Sequence, residues 1–397
     1  MITVEQATQI ILENAQYTEG VNVPLMQSLG RILREDIVAD RDFPPFDRVT
    51  MDGIALDFAA FESGQRAFRI ENVQAAGKPQ LTLQNSENCI EVMTGAMLPM
   101  GTDVVVRYED VKIRDGVATI AIDYLGFRQN IHHKGIDRTQ GDVILQKGIK
   151  ISAAEIATLA TVGKTQVKVS AVPKVAIVST GDELVEVSDV PLPYQIRRSN
   201  VFAVSSLLRE QFGIEAELYH FVDDESAIRK GLQTILIDSD VVILSGAVSE
   251  GKYDFVPKVL AELQVEKLFH KVSQRPGKPF WFGRTERSVI FALPGNPVSA
   301  FMCACRYILP FVRQQLATNS VLDMSARLAT DIVFKPDLTY FLPVKIQNTE
   351  GGLLALPSEG HGSGDLANLN EADGFLELPK NKTVFKAGEV FSLFLYR

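Results

Sequence analysis

Near the start of the chain, apolar residues recur at helical spacing. Ala7, Ile10 and Ile11 fall within residues 3–16, and Leu25, Leu29, Ile32 and Leu33 within 24–37. Each set predicts a helix. Phe43-Pro44-Pro45-Phe46 then breaks the pattern. As far as about residue 146 the chain runs in short β-prone stretches between turns: CIEVMTG, DVVVRYEDVKI, GVATIAI and GDVILQKG. These predict a small, mostly-β domain. Helical spacing returns in SAAEIATLATV, 152–162, with Ser152 as N-cap and Glu155 three residues on to complete a capping box. The β segment, 44–146, therefore reads as an insertion into a helical lobe made of residues 1–43 and 147–172. The helices of that lobe are too short to bury their own apolar faces, so a second copy of the chain is expected to complete it.

Between 173 and 322 apolar strands alternate with amphipathic helices. The strands are KVAIVSTG, AELYHFV, SDVVILSG and SVIFALPG; the helices include SNVFAVSSLLREQF, DESAIRKGLQTIL and NPVSAFMCACRYILPFVRQQLA. Ser199 or Asn200 caps the first of these helices, and Pro297 opens the last. Strands separated by helices predict a parallel, doubly wound α/β sheet covered on both faces. Such sheets bind ligands in the crevice at the carboxyl ends of the strands. Four segments fall there: Thr180–Glu183, Val222–Asp224, Ser245-Gly246 and Pro294–Asn296. From 323 to 397 the pattern is β again, in LATDIVF, YFLPVKI, GFLELP and EVFSLFLYR, and predicts a small barrel.

Composition narrows the classes. A length of 397 residues, 46% of them hydrophobic and 22% charged, requires several folded domains. A formal charge of −9 without a Lys/Arg stripe argues against nucleic acid as a partner. No apolar run is long enough to span a bilayer, and the first residues do not have the pattern of a secretory signal. Three cysteines, Cys89, Cys303 and Cys305, cannot all pair, which favours a reducing cytoplasm.

The chemistry sits at turns. Gly246 to Lys252 fits most of a P-loop, but Tyr253 stands where that motif needs a hydroxyl for Mg²⁺, and Glu250 would turn a carboxylate toward the phosphates. The segment reads better as an anion-attracting turn into a helix, with Asp254 either as the cap or as a functional acid. Arg275-Pro276-Gly277-Lys278 sets two cations three apart on a constrained turn, where a planar fork and a point charge can meet one oxyanion. LPGNPVSAF, 293–301, ends a strand and opens a helix, so that Ser299 offers an N–H and a hydroxyl to an anion. Asp52, Asp137, Glu183, Asp223, Asp224 and Asp254 lie at turns or strand ends, where a carboxylate caps a helix, faces solvent or holds Mg²⁺. The histidines and cysteines lack zinc-site spacing, and no G-x-S-x-G elbow is present.

Eight blocks, in order, carry a resemblance over nearly the whole chain: MDGIA (51–55), MTGAMLPMGTDVVV (93–106), STGDEL (179–184), SNVFAVSSLL (199–208), LSGAVSEGKYDFV (244–256), RPGKPFWFG (275–283), LPGNPVSAF (293–301) and GSGDLANL (362–369). The chain resembles the molybdopterin molybdenumtransferase family, MoeA, which includes the gephyrin E domain. The resemblance implies four domains, a homodimer, and transfer of molybdate onto adenylyl-molybdopterin with release of AMP, assisted by Mg²⁺. It further implies functional acids at Asp52, Asp137, Glu183, Asp224 and Asp254, with Glu183 and Asp254 as the Mg²⁺ ligands. Thr94, Ser245, Gly246, Ser249, Pro294, Gly295 and Pro297 are implied to bind the pterin nucleotide, and Arg275, Lys278, Ser299 and Ser363 to bind molybdate. An adenylyltransferase that supplies the substrate is the implied partner.

Several positions depart from the family pattern. Arg275 replaces the usual Lys, and Ala247 and Glu250 alter the anion turn. Arg198 stands in place of an Asp and His132 in place of an Arg. Leu338 and Tyr340 occupy positions of an Arg and a Glu in the last domain. Two other functions compete: the adenylyltransferase that makes the substrate, which shares the α/β domain, and a non-catalytic scaffold of the gephyrin E-domain type. The MDG and GSG blocks and the additional domains argue against the first, and Asp254 and Lys278 against the second.

Overall fold

A computed structural model of the chain describes residues 1–246, 255–319, 324–358 and 360–397. Ser249 and Asp254, and the departures Ala247 and Glu250, lie outside the described residues. The chain divides into two compact units, one of residues 1–35, 147–156 and 165–397, the other of 36–146 and 157–164.

The larger unit contains a six-stranded sheet. Val175–Thr180 pairs in parallel with Glu217–Phe221 on one side and Val241–Ser245 on the other, and Val241–Ser245 pairs in parallel with Val289–Leu293. Trp281–Arg284 and Glu266–His270 extend the sheet as antiparallel strands, so its edge is not parallel as the alternation predicted. A tight chain reversal supplies this edge in place of a helical crossover. Alternate residues of the parallel strands enter two separate cores. Ile177, Ile243 and Phe291 pack toward Asn200–Phe212 and the 297–315 helix. Val178, Leu244 and Ile290 pack toward the Glu225–Asp238 and Val256–Glu262 helices. Burial on both faces is why these strands read as continuous apolar runs.

Val4–Glu13 is a helix opened by a capping box, in which Thr3 and Gln6 satisfy each other's backbone N–H groups. Its buried stripe, Val4, Ala7 and Ile11, joins the first of the two cores. Ala153–Thr161 is also helical, and Glu155 accepts from the backbone N–H of Ser152 at 2.8 Å. Residues 24–37 are not the predicted helix. Gly20–Pro24 is a strand paired antiparallel with Gln166–Ser170, and a single 3₁₀ turn, Leu25–Ser28, follows it. Gly30 then takes a φ of +77°, and Ile32 and Leu33 form bridges to Lys150 and Val169. The apolar spacing was compatible with a helix, but a left-handed glycine six residues past Pro24 leaves room for one turn only.

At the carboxyl end, five strands close on themselves. Thr339–Thr349 pairs with Gly352–Pro357 near one end and with Gly374–Leu378 near the other. Met324–Leu328 and Val390–Leu395 complete the ring. Closure removes the free edges of the predicted barrel.

The smaller unit is built on another six-stranded sheet, which includes Gly53–Leu56 between Asn88–Val92 and Val104–Arg107. Gly53 is required there: a Cβ on it would lie 1.9 Å from the Val106 carbonyl oxygen. Among the described residues no helix is long and apolar enough to cross a membrane.

Candidate functional site

Parallel register brings the strand ends together. Ser179 stands opposite Ser245, Ser245 opposite Leu293, and Thr180 opposite Phe221. The turns that follow, at Gly181, Val222, Gly246 and Pro294, therefore share one rim. Gly246 has φ +91°, and a Cβ on Gly295 would lie 3.6 Å from its Cα, so the two glycine turns pack against each other. Asn200 ties them: its side-chain amide donates to the Ser245 hydroxyl at 3.0 Å and to the Gly295 carbonyl at 2.8 Å. Ser199 is the N-cap residue, without a side-chain capping bond, and Asn200 is a cross-link and not a cap.

A cleft of about 1140 Å³ opens beside this rim, with barrel residues as its opposite wall. Gly246, Pro294, Gly295, Arg275, Lys278, Ser299 and Ser363 all line it, so seven of the expected binding residues meet in one place. Arg275 and Lys278 are exposed, and Ser299 is buried in the first turn of the Pro297–Cys303 helix. Pro297 opens that helix. Ser363 is held to the same opening: Asn296 donates to its hydroxyl at 2.9 Å, and the Val298 N–H donates to its carbonyl at 3.1 Å. Two cations, a helix opening and a hydroxyl-bearing loop thus line one cleft, and these are the kinds of group that bind oxyanions.

The departures shape the far wall. Leu338 and Tyr340 line the cleft, and the Tyr340 ring stacks on Phe334 at 4.4 Å. Burial pushes the Tyr340 phenol upward, only partly offset by the nearby Arg275 guanidinium, so it stays neutral. At these two positions the wall therefore carries aliphatic and aromatic surface where the family pattern has an Arg and a Glu, and the Asp331 carboxylate, which also lines the cleft, is paired with Lys386 at 2.7 Å.

The expected acids fall into separate environments. Glu183 is exposed just past the Val175–Thr180 strand. A Cβ on Gly181, which has φ +137°, would lie 2.5 Å from its Oε2, so glycine gives this carboxylate room. Asp224 caps the Glu225–Asp238 helix, accepting from the Ala227 N–H at 2.7 Å. Asp52, Thr94 and Asp137 belong to the smaller unit. There Asp52 Oδ1 accepts from the backbone N–H of Thr94 at 2.6 Å and from its hydroxyl at 2.7 Å. Those two bonds hold the Asp52 carboxyl below the usual range. Asp137 Oδ1 lies 3.3 Å from His132 Nε2, and His132 Nδ1 lies 2.9 Å from the Arg48 guanidinium.

Among the described residues no group of three His, Cys, Asp or Glu is placed to hold a metal. The three cysteines are buried and free, and burial pushes the Cys89 thiol up to about 12. They are packing residues of the hydrophobic cores. Sequence reasoning missed Asn200 and Asn296 as the groups that fix the rim. Their motifs were legible, but an amide that bridges two turns is visible only once the turns are adjacent.

Three family models match in order: the MoeA N-terminal region (domain I and II) over residues 2–163, the probable molybdopterin binding domain over 176–314, and the MoeA C-terminal region (domain IV) over 325–396. A curated protein from Synechocystis sp., named molybdopterin molybdenumtransferase, is 39% identical over 100% of both chains. The chain belongs to the MoeA family. A MoeA relative from Staphylococcus epidermidis with the same name is 31% identical over 99% of this chain and 95% of its own. Two crystal structures of the molybdopterin biosynthesis MoeA protein from Pyrococcus horikoshii superpose with TM-scores of 0.84 and 0.82, at 30% and 28% identity. They cover 100% of this chain and 99% and 100% of theirs.

Proposed function

We propose that this MoeA-family chain is the molybdenum insertase of cofactor biosynthesis, and that it transfers molybdate onto adenylyl-molybdopterin with release of AMP. The observation that carries the reading is the cleft in which Arg275, Lys278, Ser299 and Ser363 converge beside the glycine turns at 246 and 295. Molybdate is a tetrahedral dianion, and such a ligand needs both charge and directed donors. Arg275 and Lys278 supply the charge. The helix opening at Ser299 and the Ser363 hydroxyl supply donors.

The pterin nucleotide lies along the strand-end rim, where Ser245, Gly246, Pro294 and Gly295 allow close backbone approach, with Pro297 and Ser249 as further contacts. Asp52, Asp137, Glu183, Asp224 and Asp254 are the functional acids of this reading. A carboxylate can accept from the donor edge of a pterin or hold a cation against phosphates. Mg²⁺ is the expected cofactor, and its chemistry is to neutralise the phosphate charge during transfer. Mg²⁺ characteristically takes one or two carboxylates together with substrate phosphates. Exposed Glu183, with the space that Gly181 leaves above it, fits that need, and Asp254 is the proposed second ligand.

The protein acts in the cytoplasm as a homodimer, and an adenylyltransferase delivers its substrate. Five large apolar side chains between 187 and 196 are exposed in the single chain, among them Val190 at 88% and Tyr194 at 73%, and the dimer reading gives them a partner. The test is to mix purified protein with adenylyl-molybdopterin and Mg²⁺ and to follow AMP. The expected result is AMP formation that starts on addition of molybdate. Equal AMP release with and without molybdate would overturn the reading.

A further inference from the structure

We infer that Tyr307 and Gln274 are positioning residues for the Arg275–Lys278 turn, acting through a buried hydrogen-bond relay; the inference rests on the reading of that turn as the molybdate site. Gln274 and Tyr307 are 0% and 1% exposed. Tyr307 lies in an apolar cluster with its ring stacked on Phe280 at 4.9 Å. An amide and a phenol closed off in such surroundings are costly unless each polar atom finds a partner. The Tyr307 hydroxyl donates to Gln274 Oε1. Gln274 Nε2 donates to the Gly277 carbonyl at 3.0 Å and lies 3.5 Å from Cys303 Sγ. The network therefore runs from the helix interior and ends on the backbone of the turn.

Two further features show that the turn is seated on this relay. Ala304–Ile308 is a π turn inside the 297–315 helix, an insertion that resets which side chains face inward, and Tyr307 is in it. Gly277 has φ +86°, and a Cβ on it would come within 2.7 Å of Cys303 Sγ and 2.9 Å of Gln274 Nε2. The turn is thus pressed onto the helix with no space for a side chain. From the other side, Gln274 and Arg275 pair in parallel with Thr339 and Tyr340 of the barrel. Arg275 and Lys278 are long, exposed and flexible, so the precision of the oxyanion site depends on how firmly their backbone is held. A site whose supporting groups are fixed binds more tightly because less ordering is left to the ligand.

The test is a molybdate titration of AMP release at saturating adenylyl-molybdopterin, on Tyr307→Phe, Gln274→Met, Lys278→Ala and Ile308→Val. Tyr307→Phe keeps the ring and removes the donor. Loss of one such bond is expected to raise half-saturating molybdate about threefold to tenfold. Turnover at saturating molybdate should stay within about twofold, because the turn positions the anion and does not react. Gln274→Met should do the same at similar side-chain length. Ile308→Val trims a fully buried neighbour outside the relay, so it reports on loosened packing alone and should leave half-saturation unchanged. Wild-type half-saturation in both relay variants would overturn the inference, as would an equal change in Ile308→Val. If only Lys278→Ala raises half-saturation, the relay is wrong and the molybdate site stands. If Lys278→Ala leaves it unchanged, the site reading itself fails, and the relay with it.

Discussion

Arg275 and Tyr340 are partnered positions of two parallel strands, which places an exposed cation beside a neutral aromatic side chain on the wall of the cleft. The Arg275 guanidinium lies 6.0 Å from the Phe334 ring, and Phe334 in turn stacks on Tyr340. The cleft therefore has Arg275 and Lys278 on its α/β side, and on its barrel side Phe334, Leu338 and Tyr340 beside the Asp331 carboxylate, which is paired with Lys386. The family pattern would put a cation at Leu338, which lines the same cleft.

Leu338→Arg should accordingly strengthen molybdate binding. A further charged donor at an oxyanion adds about 1.5–3 kcal/mol where it can reach, or roughly tenfold to a hundredfold in affinity. Molybdate titration of the variant is the measurement. An unchanged or weaker half-saturation would show that the barrel wall does not face the anion.

Gly277→Ala should be destabilising as well as impairing. The substitution forces an alanine into the left-handed region and a methyl group onto Cys303, and either effect costs on the order of 1–2 kcal/mol. Thermal or denaturant unfolding should show the loss, and molybdate binding should weaken with it. A variant as stable as the parent would mean that the turn is not pressed on the helix.

Asp224 carries two roles that substitution can separate. As a cap it is replaceable by Asn, which is an equally good N-cap, whereas Ala should cost about 1 kcal/mol. As a functional carboxylate it is replaceable by neither. Asp224→Asn should therefore keep the parent's unfolding midpoint while slowing AMP release. Full turnover in Asp224→Asn would mark the residue as a cap alone.

Thr94→Val should move the titration of Asp52 upward. The Thr94 backbone N–H is the larger cause of the depressed carboxyl and its hydroxyl the smaller, so the variant should shift Asp52 only part of the way toward the ordinary carboxylate range. A folded-state value below the unfolded one gives a contribution that is complete above the ordinary range and is lost as pH falls through the depressed value. Carboxyl NMR titration of the two proteins measures the shift, and coincident curves would contradict it.

Much of this architecture was legible because single residues declare it. Ser152 and Glu155 marked a helix start, and strands buried on both faces announced the α/β sheet through runs such as Val175–Val178. The glycines at 246 and 295 pointed to the crevice. Residues 24–37 misled because Leu25, Leu29, Ile32 and Leu33 satisfy a helical template, although Ile32 and Leu33 bridge to residues more than a hundred positions away. Partners that distant leave no local periodicity. The relay under Gly277 was hidden for the same reason, since a glutamine at 274 and a tyrosine at 307 look like surface and core residues until the turn folds onto the π segment. The aromatic wall was visible only as a departure from pattern, at Leu338 and Tyr340, and its stacking on Phe334 needed the barrel to close.

The most direct test of the central claim is to follow the metal and the nucleotide together. Radiolabelled molybdate, adenylyl-molybdopterin, Mg²⁺ and the purified protein are incubated, and pterin-bound molybdenum is measured beside AMP over time. The account predicts that the two products rise together, mole for mole, and that Lys278→Ala delays both equally at limiting molybdate. AMP that accumulates while molybdenum stays free would contradict it, and would make the chain a nucleotide hydrolase and not an insertase.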